Sequence, residues 1–209
     1  MASPAVTYDT DDAVRARIAR APHRSQLSPA MDEDEPKPES LERRTLHTGR
    51  VFRVEHEHLR LPSGLEQRLD LVIHPGAVCI LAETRPGYAL AVRQYRHAVE
   101  AHLLEIPAGR LEPGEDPLIA ARRELEEETG HRAARWAQVF DFVPAPGFCS
   151  ERLFLFLAQD LSPAGSDRLH PDEDEELEAR EVPVEALLAA RPIDAKTWIA
   201  ASWYLHHRR

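Results

Sequence analysis

The chain has 209 residues, with 36 acidic against 26 basic side chains and a formal net charge of −10. That length supports one substantial core plus a tail, and the acidic balance argues against a nucleic-acid backbone as general partner. An anionic small molecule remains compatible with it, provided a metal ion carries the attraction. Lysine occurs only at Lys37 and Lys196, so the positive charge is almost entirely arginine, the better fork for phosphate oxygens. Cys79 and Cys149 have no CxxC spacing, which points to neither a disulfide framework nor a zinc site. No apolar run approaches the roughly 20 residues needed to span a bilayer, and the first residues lack the apolar core of a secretory signal. The expectation is a cytoplasmic protein with no membrane partner.

Residues 1–42 carry Asp-rich and Pro-rich pieces and too few apolar side chains for a core, so a disordered or weakly structured tail is expected, with room for a short helix at 12–20. Met31 is a reasonable natural start, since the pattern becomes domain-like only after it. Peptide mapping of the natural protein that recovers residues 2–20 would end that idea. Residues 43–209 read as one domain, with N-terminal strands at about 45–75 and a catalytic core at about 76–206. Residues 51–61 alternate apolar with polar side chains, Pro62-Ser63-Gly64 makes a turn, and 67–74 returns, which is a hairpin signal. Strands are expected at 77–82 and 88–94, separated by a turn at Arg85-Pro86-Gly87. A helix is expected at Pro117–Thr129, with Asp116 as cap, Pro117 at its first position and Gly130 at its exit. Strands recur at 136–143, 152–158 and 177–182, and helices at 184–190 and 195–206. Strands around two or three helices, with no regular βαβ repeat, predict a mixed α/β domain.

The segment from Gly109 to Gly130 is the most informative. At about 100° per residue, Glu124, Glu127 and Glu128 share one face of the expected helix, while Leu118, Ala121, Leu125 and Thr129 line another. Carboxylates three and four residues apart repel, and the helix C-terminus already disfavours negative charge. A bound hard cation offsets that repulsion, and an all-oxygen site suits Mg²⁺. Glu126 falls on the far side of the wheel and carries no expected chemistry.

Gly109, Glu115, Arg123, Glu124, Leu125, Glu127, Glu128 and Gly130 stand at the spacing of the Nudix box, and the segment resembles it at every charged position. One position departs: His131 stands where an apolar residue follows the final glycine. The flanking segments 104–109, 92–96, Pro144–Glu151 and the acidic loop His170–Glu176 together resemble the ADP-ribose pyrophosphatase branch of the Nudix hydrolases, over roughly residues 45–206. The resemblance implies an α+β Nudix fold, a mixed sheet sandwiched between helices, with an N-terminal antiparallel hairpin region. It implies metal ligation by the carbonyl of Ala108 and by Glu124, Glu127 and Glu128, with Glu127 and Glu128 also catalytic and Arg123 part of the catalytic group as the residue that orients Glu127 by an ion pair. From the acidic loop, Glu175 matches the family's catalytic glutamate best and Glu173 second. Arg96 and Arg68 are candidates for the substrate's phosphates or terminal ribose. Glu105 and Glu151 are further substrate-side candidates, and Arg50 or Phe52 for covering the adenine.

The implied reaction is Mg²⁺-dependent hydrolysis of the pyrophosphate bond of ADP-ribose to AMP and ribose 5-phosphate, with Mn²⁺ as a substitute metal. The implied partner is a small nucleoside diphosphate sugar, and a homodimer is expected from the family's two-subunit sites. Two rivals stand beside it: a pyrophosphatase for another nucleotide sugar such as GDP-mannose, and a nucleotide-sensing module without catalysis. Retention of all three helix glutamates weighs against the sensor.

Overall fold

A computed structural model describes residues 35–170 and 176–208. Glu173, Glu175, the 12–20 segment and Met31 lie outside the described residues. The first unit is an antiparallel sheet of β1 (Glu39–Thr48), β2 (Arg53–Arg60) and β3 (Glu66–Ile73) in the order β1-β2-β3. Strand β1 begins at Glu39, inside the stretch expected to be tail, and is exposed along its whole length. The β2–β3 turn closes where the Leu61 amide donates to the Leu65 carbonyl and the Gly64 amide donates to the Leu61 carbonyl, with φ of +87° at Gly64. Only a residue without Cβ adopts that region freely.

The second sheet runs β10 (Leu177–Pro183), β5 (Tyr88–Arg96), β4 (Ala77–Arg85), β9 (Leu153–Pro163) and β8 (His131–Phe142). Strands β4 and β9 pair in parallel and the others antiparallel, so the sheet is mixed. Two short strands complete it: β6 (Ala101–Glu105) on β5 and β7 (Ala108–Arg110) on β4. Their origin is a split. β5 leaves β4 after Leu90, and the chain 101–110 fills the opening, pairing Val92 with Glu105 on one side and Cys79 with Ala108 on the other. The Ile80 amide donates to the Pro107 carbonyl at 2.8 Å between them. The segment leading to Gly109 is thereby fixed in the middle of the sheet.

Strand side chains alternate between faces, and β4 uses both. Val78, Ile80 and Ala82 pack with Ala120, Ala121 and Leu125 of helix α1 (Pro117–Thr129). Cys79 and Leu81 pack against helix α2 (Val184–Ala189) and helix α3 (Ala195–His207), through Val184, Leu187, Ala200, Ala201 and Tyr204. The domain is therefore α+β, with the central sheet between α1 and the α2–α3 pair. Complete burial of a leucine such as Leu125 contributes roughly 1.5–3 kcal/mol. No helix among the described residues is long and apolar enough to cross a membrane.

Candidate active site

Helix α1 starts and stops for local reasons. Asp116 accepts hydrogen bonds from the amides of Leu118 at 2.9 Å and Ile119 at 3.3 Å, and Pro117 supplies a preset φ. Gly130 ends the helix with φ of +68°, its amide donating to the Glu126 carbonyl at 2.9 Å. The register set by these caps turns an acidic face toward the Pro107–Gly109 segment.

The carboxylates on that face have defined partners. Arg123 is the hub: it donates to both oxygens of Glu115 at 3.1 and 3.0 Å, to Glu124 at 2.7 Å and to Glu127 at 3.0 Å, and to the Arg110 carbonyl at 3.1 Å. Burial works against the Arg123 charge, but Glu115 and Glu124 outweigh it and raise its pKa, so it remains protonated. The Ala108 amide donates to Glu128 at 3.1 Å. Much of the repulsion read from the helix wheel is thus offset by arginine and backbone. Among the described residues no three His, Cys, Asp or Glu side chains converge as a ready metal cluster.

Gly109 carries a sharper constraint. A Cβ built there would lie 1.8 Å from the Glu124 carboxyl carbon and 1.9 and 2.2 Å from its two oxygens. The Glu124 carboxylate therefore occupies space that only glycine leaves open. The Ala108 carbonyl and the carboxylates of Glu124, Glu127 and Glu128, the ligands expected from the sequence, are all hard oxygen atoms on or facing this helix, without converging as a preformed cluster. That set fits Mg²⁺ by chemistry.

Beside this face lies a cavity of about 380 Å³, lined among others by Arg96, Ala108, Gly109, Glu151, Asp194 and Lys196. Arg96 is part-exposed (40% for its side chain) and donates through Nε and Nη2 to the two oxygens of Glu105, both at 2.8 Å. The Glu128 charge acts on Arg96 as well, after the larger effect of Glu105, so this guanidinium belongs to the same locality as the glutamate helix. Glu151 lines the cavity 3.8 Å from His74 Nδ1. Its loop is clipped to the end of β3, where the Val72 carbonyl accepts from Ser150 and the Phe148 carbonyl from Val72. A second cavity of about 480 Å³ is lined by Arg50, Phe52, His74 and Arg110, between the two sheets.

Two candidates stand away from the open cavity surface. Glu105 is 1% exposed, and Arg96 and Lys196 hold both its oxygens, so it stands behind the cavity wall. Burial tends to raise its carboxyl, but the Arg96 and Lys196 cations win and hold it at about 2. Arg68 is exposed in mid-β3 opposite His58 and lines neither cavity. It precedes the cavity-lining Ile73 by five residues, roughly 16 Å of strand.

Burial of Glu105 with its cations has a pH signature. A depressed carboxylate stabilises the fold above its unfolded value and loses that contribution as pH falls through the folded value. With the carboxyl held near 2 against an ordinary 4.5, the pair contributes on the order of 3 kcal/mol at neutral pH. Replacement Glu105→Gln should therefore destabilise the protein most at pH 7. Chemical denaturation should find the gap to wild type closing between pH 4.5 and 2, and a pH-independent gap would refute the assignment.

Other residues are visible only in the fold. Glu126, assigned no chemistry from the helix wheel, is 7% exposed and held by Arg132 through two hydrogen bonds of 2.7 Å. It also accepts from the Leu169 amide at 3.0 Å, tying the segment before the acidic loop to α1. Asp194 and Lys196 reach the cavity from the start of α3; the rarity of lysine in this chain is the one signal that could have marked Lys196. His131 opens β8 and bonds the Thr129 carbonyl at 2.9 Å through Nδ1. Burial pushes the Cys79 thiol up to about 12, which removes it as a nucleophile at neutral pH.

A family profile described as the NUDIX domain matches residues 72–203. The chain belongs to the NUDIX family. It is 40% identical over 173 residues to a protein named ADP-ribose pyrophosphatase from Bacillus subtilis (strain 168), covering 78% of this chain and 93% of that one. It is 37% identical over 162 residues to a protein named methanol dehydrogenase activator from Bacillus methanolicus, covering 76% and 87%. A solved structure described as an ADP compounds hydrolase superimposes with a TM-score of 0.70 at 27% identity, over 82% of this chain and 93% of the other.

Proposed function

We propose that this chain hydrolyses the pyrophosphate bond of ADP-ribose, adding water across one bridging P–O bond to release AMP and ribose 5-phosphate. The observation that carries this reading is the carboxylate face of α1 packed against Ala108 and Gly109, which in turn line a cavity with Arg96 in its wall. Similarity to a protein named ADP-ribose pyrophosphatase over nearly its whole length supports the choice of substrate.

Ala108, Glu124, Glu127 and Glu128 would hold Mg²⁺, whose chemistry there would be charge neutralisation of a diphosphate and a lowered pKa for a bound water. Mn²⁺ is the expected substitute. The chain's own residues do the rest. Arg96 binds a phosphate oxygen from the cavity wall, and Glu105 fixes the plane of its guanidinium. Arg123 orients Glu124 and Glu127. Glu151, in the cavity lining, accepts a hydrogen bond from the distal sugar in this reading. The water's proton passes to an acidic-loop carboxylate, Glu175 first and Glu173 second, and a glutamate there acting as general base is worth about 10²–10⁴-fold.

Glu175→Gln should slow turnover by at least about tenfold with the melting temperature unchanged. An undiminished kcat would move the base to Glu173 or Glu127. A cytoplasmic homodimer is part of the same reading, supported by the exposed Leu41, Leu46 and Phe52 on and beside β1. Release of AMP from ADP-ribose by the purified protein, dependent on Mg²⁺, tests the reading directly.

A further inference from the structure

The Arg96–Glu105 pair continues into α3. Lys196 Nζ donates to the Glu105 oxygen that also accepts from Arg96 Nη2, and to Asp194 Oδ1 at 3.1 Å. The Lys196 amide donates to that same Asp194 oxygen at 3.0 Å, which caps the helix. One residue on, Thr197 Oγ1 accepts from the buried Ile106 amide at 3.0 Å. Helix α3 thus grips two consecutive residues of the 105–109 segment, Glu105 by charge and Ile106 by hydrogen bond. Four charges alternate from helix to cavity: Asp194, Lys196, Glu105, Arg96. Their formal sum is zero, which suits a site where the Lys196 side chain is 12% exposed and that of Glu105 1%. Arg96 alone among them is substantially exposed, at 40%.

We infer that Lys196 is a positioning residue for the substrate's diphosphate: through Glu105 it fixes the Arg96 guanidinium with one edge taken and the remaining edge presented to the cavity. The inference rests on the hydrolase reading above for the identity of the anion. A guanidinium held by both carboxylate oxygens is pre-organised, and little further freedom is lost when it meets a phosphate. Without Lys196, Glu105 keeps one cation, and Arg96 must then neutralise a buried carboxylate alone. Its affinity for a second anion falls. Because Arg96 meets the diphosphate in ground state and transition state alike, the loss belongs mainly to binding.

The test uses the full-length protein with Mg²⁺ and two readouts: equilibrium binding of the non-hydrolysable α,β-methylene analogue of ADP-ribose, and steady-state kinetics with ADP-ribose. Lys196→Met should weaken analogue binding and raise KM by about tenfold, with kcat falling less than about threefold. Lys196→Arg should recover most of the loss. In an Arg96→Ala background Lys196→Met should add less than about twofold, because the two act as a unit. Should the methionine variant not fold, Lys196→Gln carries the same comparison, with KM rising and kcat held. Unchanged analogue binding in the folded variants overturns the inference, as does a full additional loss in the Arg96→Ala background. Wild-type binding of the analogue without turnover of ADP-ribose would instead overturn the hydrolase reading, and the binding comparison would still decide the role of Lys196.

Discussion

Glu128→Gln should leave the protein folded and lower kcat for ADP-ribose in Mg²⁺ by at least about a hundredfold. The magnitude follows from position: disturbing a residue merely behind a metal ligand costs about 10–100-fold, and Glu128 is proposed as a ligand itself. The fold should survive because glutamine keeps the oxygen that accepts from the Ala108 amide. Glu128 is 7% exposed on a helix already crowded with carboxylates, so removing its charge relieves repulsion as well. The thermal midpoint should therefore stay or rise while turnover collapses. Turnover like that of wild type in a folded Glu128→Gln protein would remove the glutamate helix from the chemistry.

Gly109→Ala should have an effect of similar size by a different route. The new methyl would sit 1.8 Å from the Glu124 carboxyl carbon, far inside contact distance. Backbone here is held by pairing with β4, from Val78 to Gly109, so the side chain must give way. The end of a glutamate moves readily, and the fold should persist with a stability change of about 1 kcal/mol. The carboxylate would nevertheless leave its place against Gly109. Turnover should fall about 10²-fold, the cost of misplacing a reacting group by an ångström, and raising Mg²⁺ should recover part of it. A folded Gly109→Ala protein with undiminished turnover at low Mg²⁺ would mean that Glu124 is not needed where it stands.

The sequence discloses some of this geometry and hides the rest for physical reasons. Helix α1 is legible to the residue because Asp116, Pro117 and Gly130 act on their immediate neighbours. The Arg123–Glu127 pair is legible too, since four residues bring side chains together on a helix. The contact of Arg123 with Glu115 is not, because Glu115 lies before the helix and only the path of the loop returns it. Strands β6 and β7 are short, and what makes them strands is the opening between β4 and β5, a property of the sheet. Strand β1 is exposed on both faces, so it carries no alternation to read, and pairing with β2 alone sets its start at Glu39. Glu105 and Lys196 are 91 positions apart in the chain. Composition flags Lys196 as rare, but only packing of α3 beneath the sheet reveals what it holds.

The proposed reaction of this NUDIX protein is Mg²⁺-dependent cleavage of ADP-ribose at the α1 face. The most direct measurement incubates the purified full-length protein with ADP-ribose, GDP-mannose, NADH and dinucleoside polyphosphates, each with and without Mg²⁺, and quantifies the products. AMP and ribose 5-phosphate are expected in equal amounts from ADP-ribose, at the highest kcat/KM of the panel and only with the metal. Binding of ADP-ribose without AMP release, or faster cleavage of GDP-mannose, would contradict it.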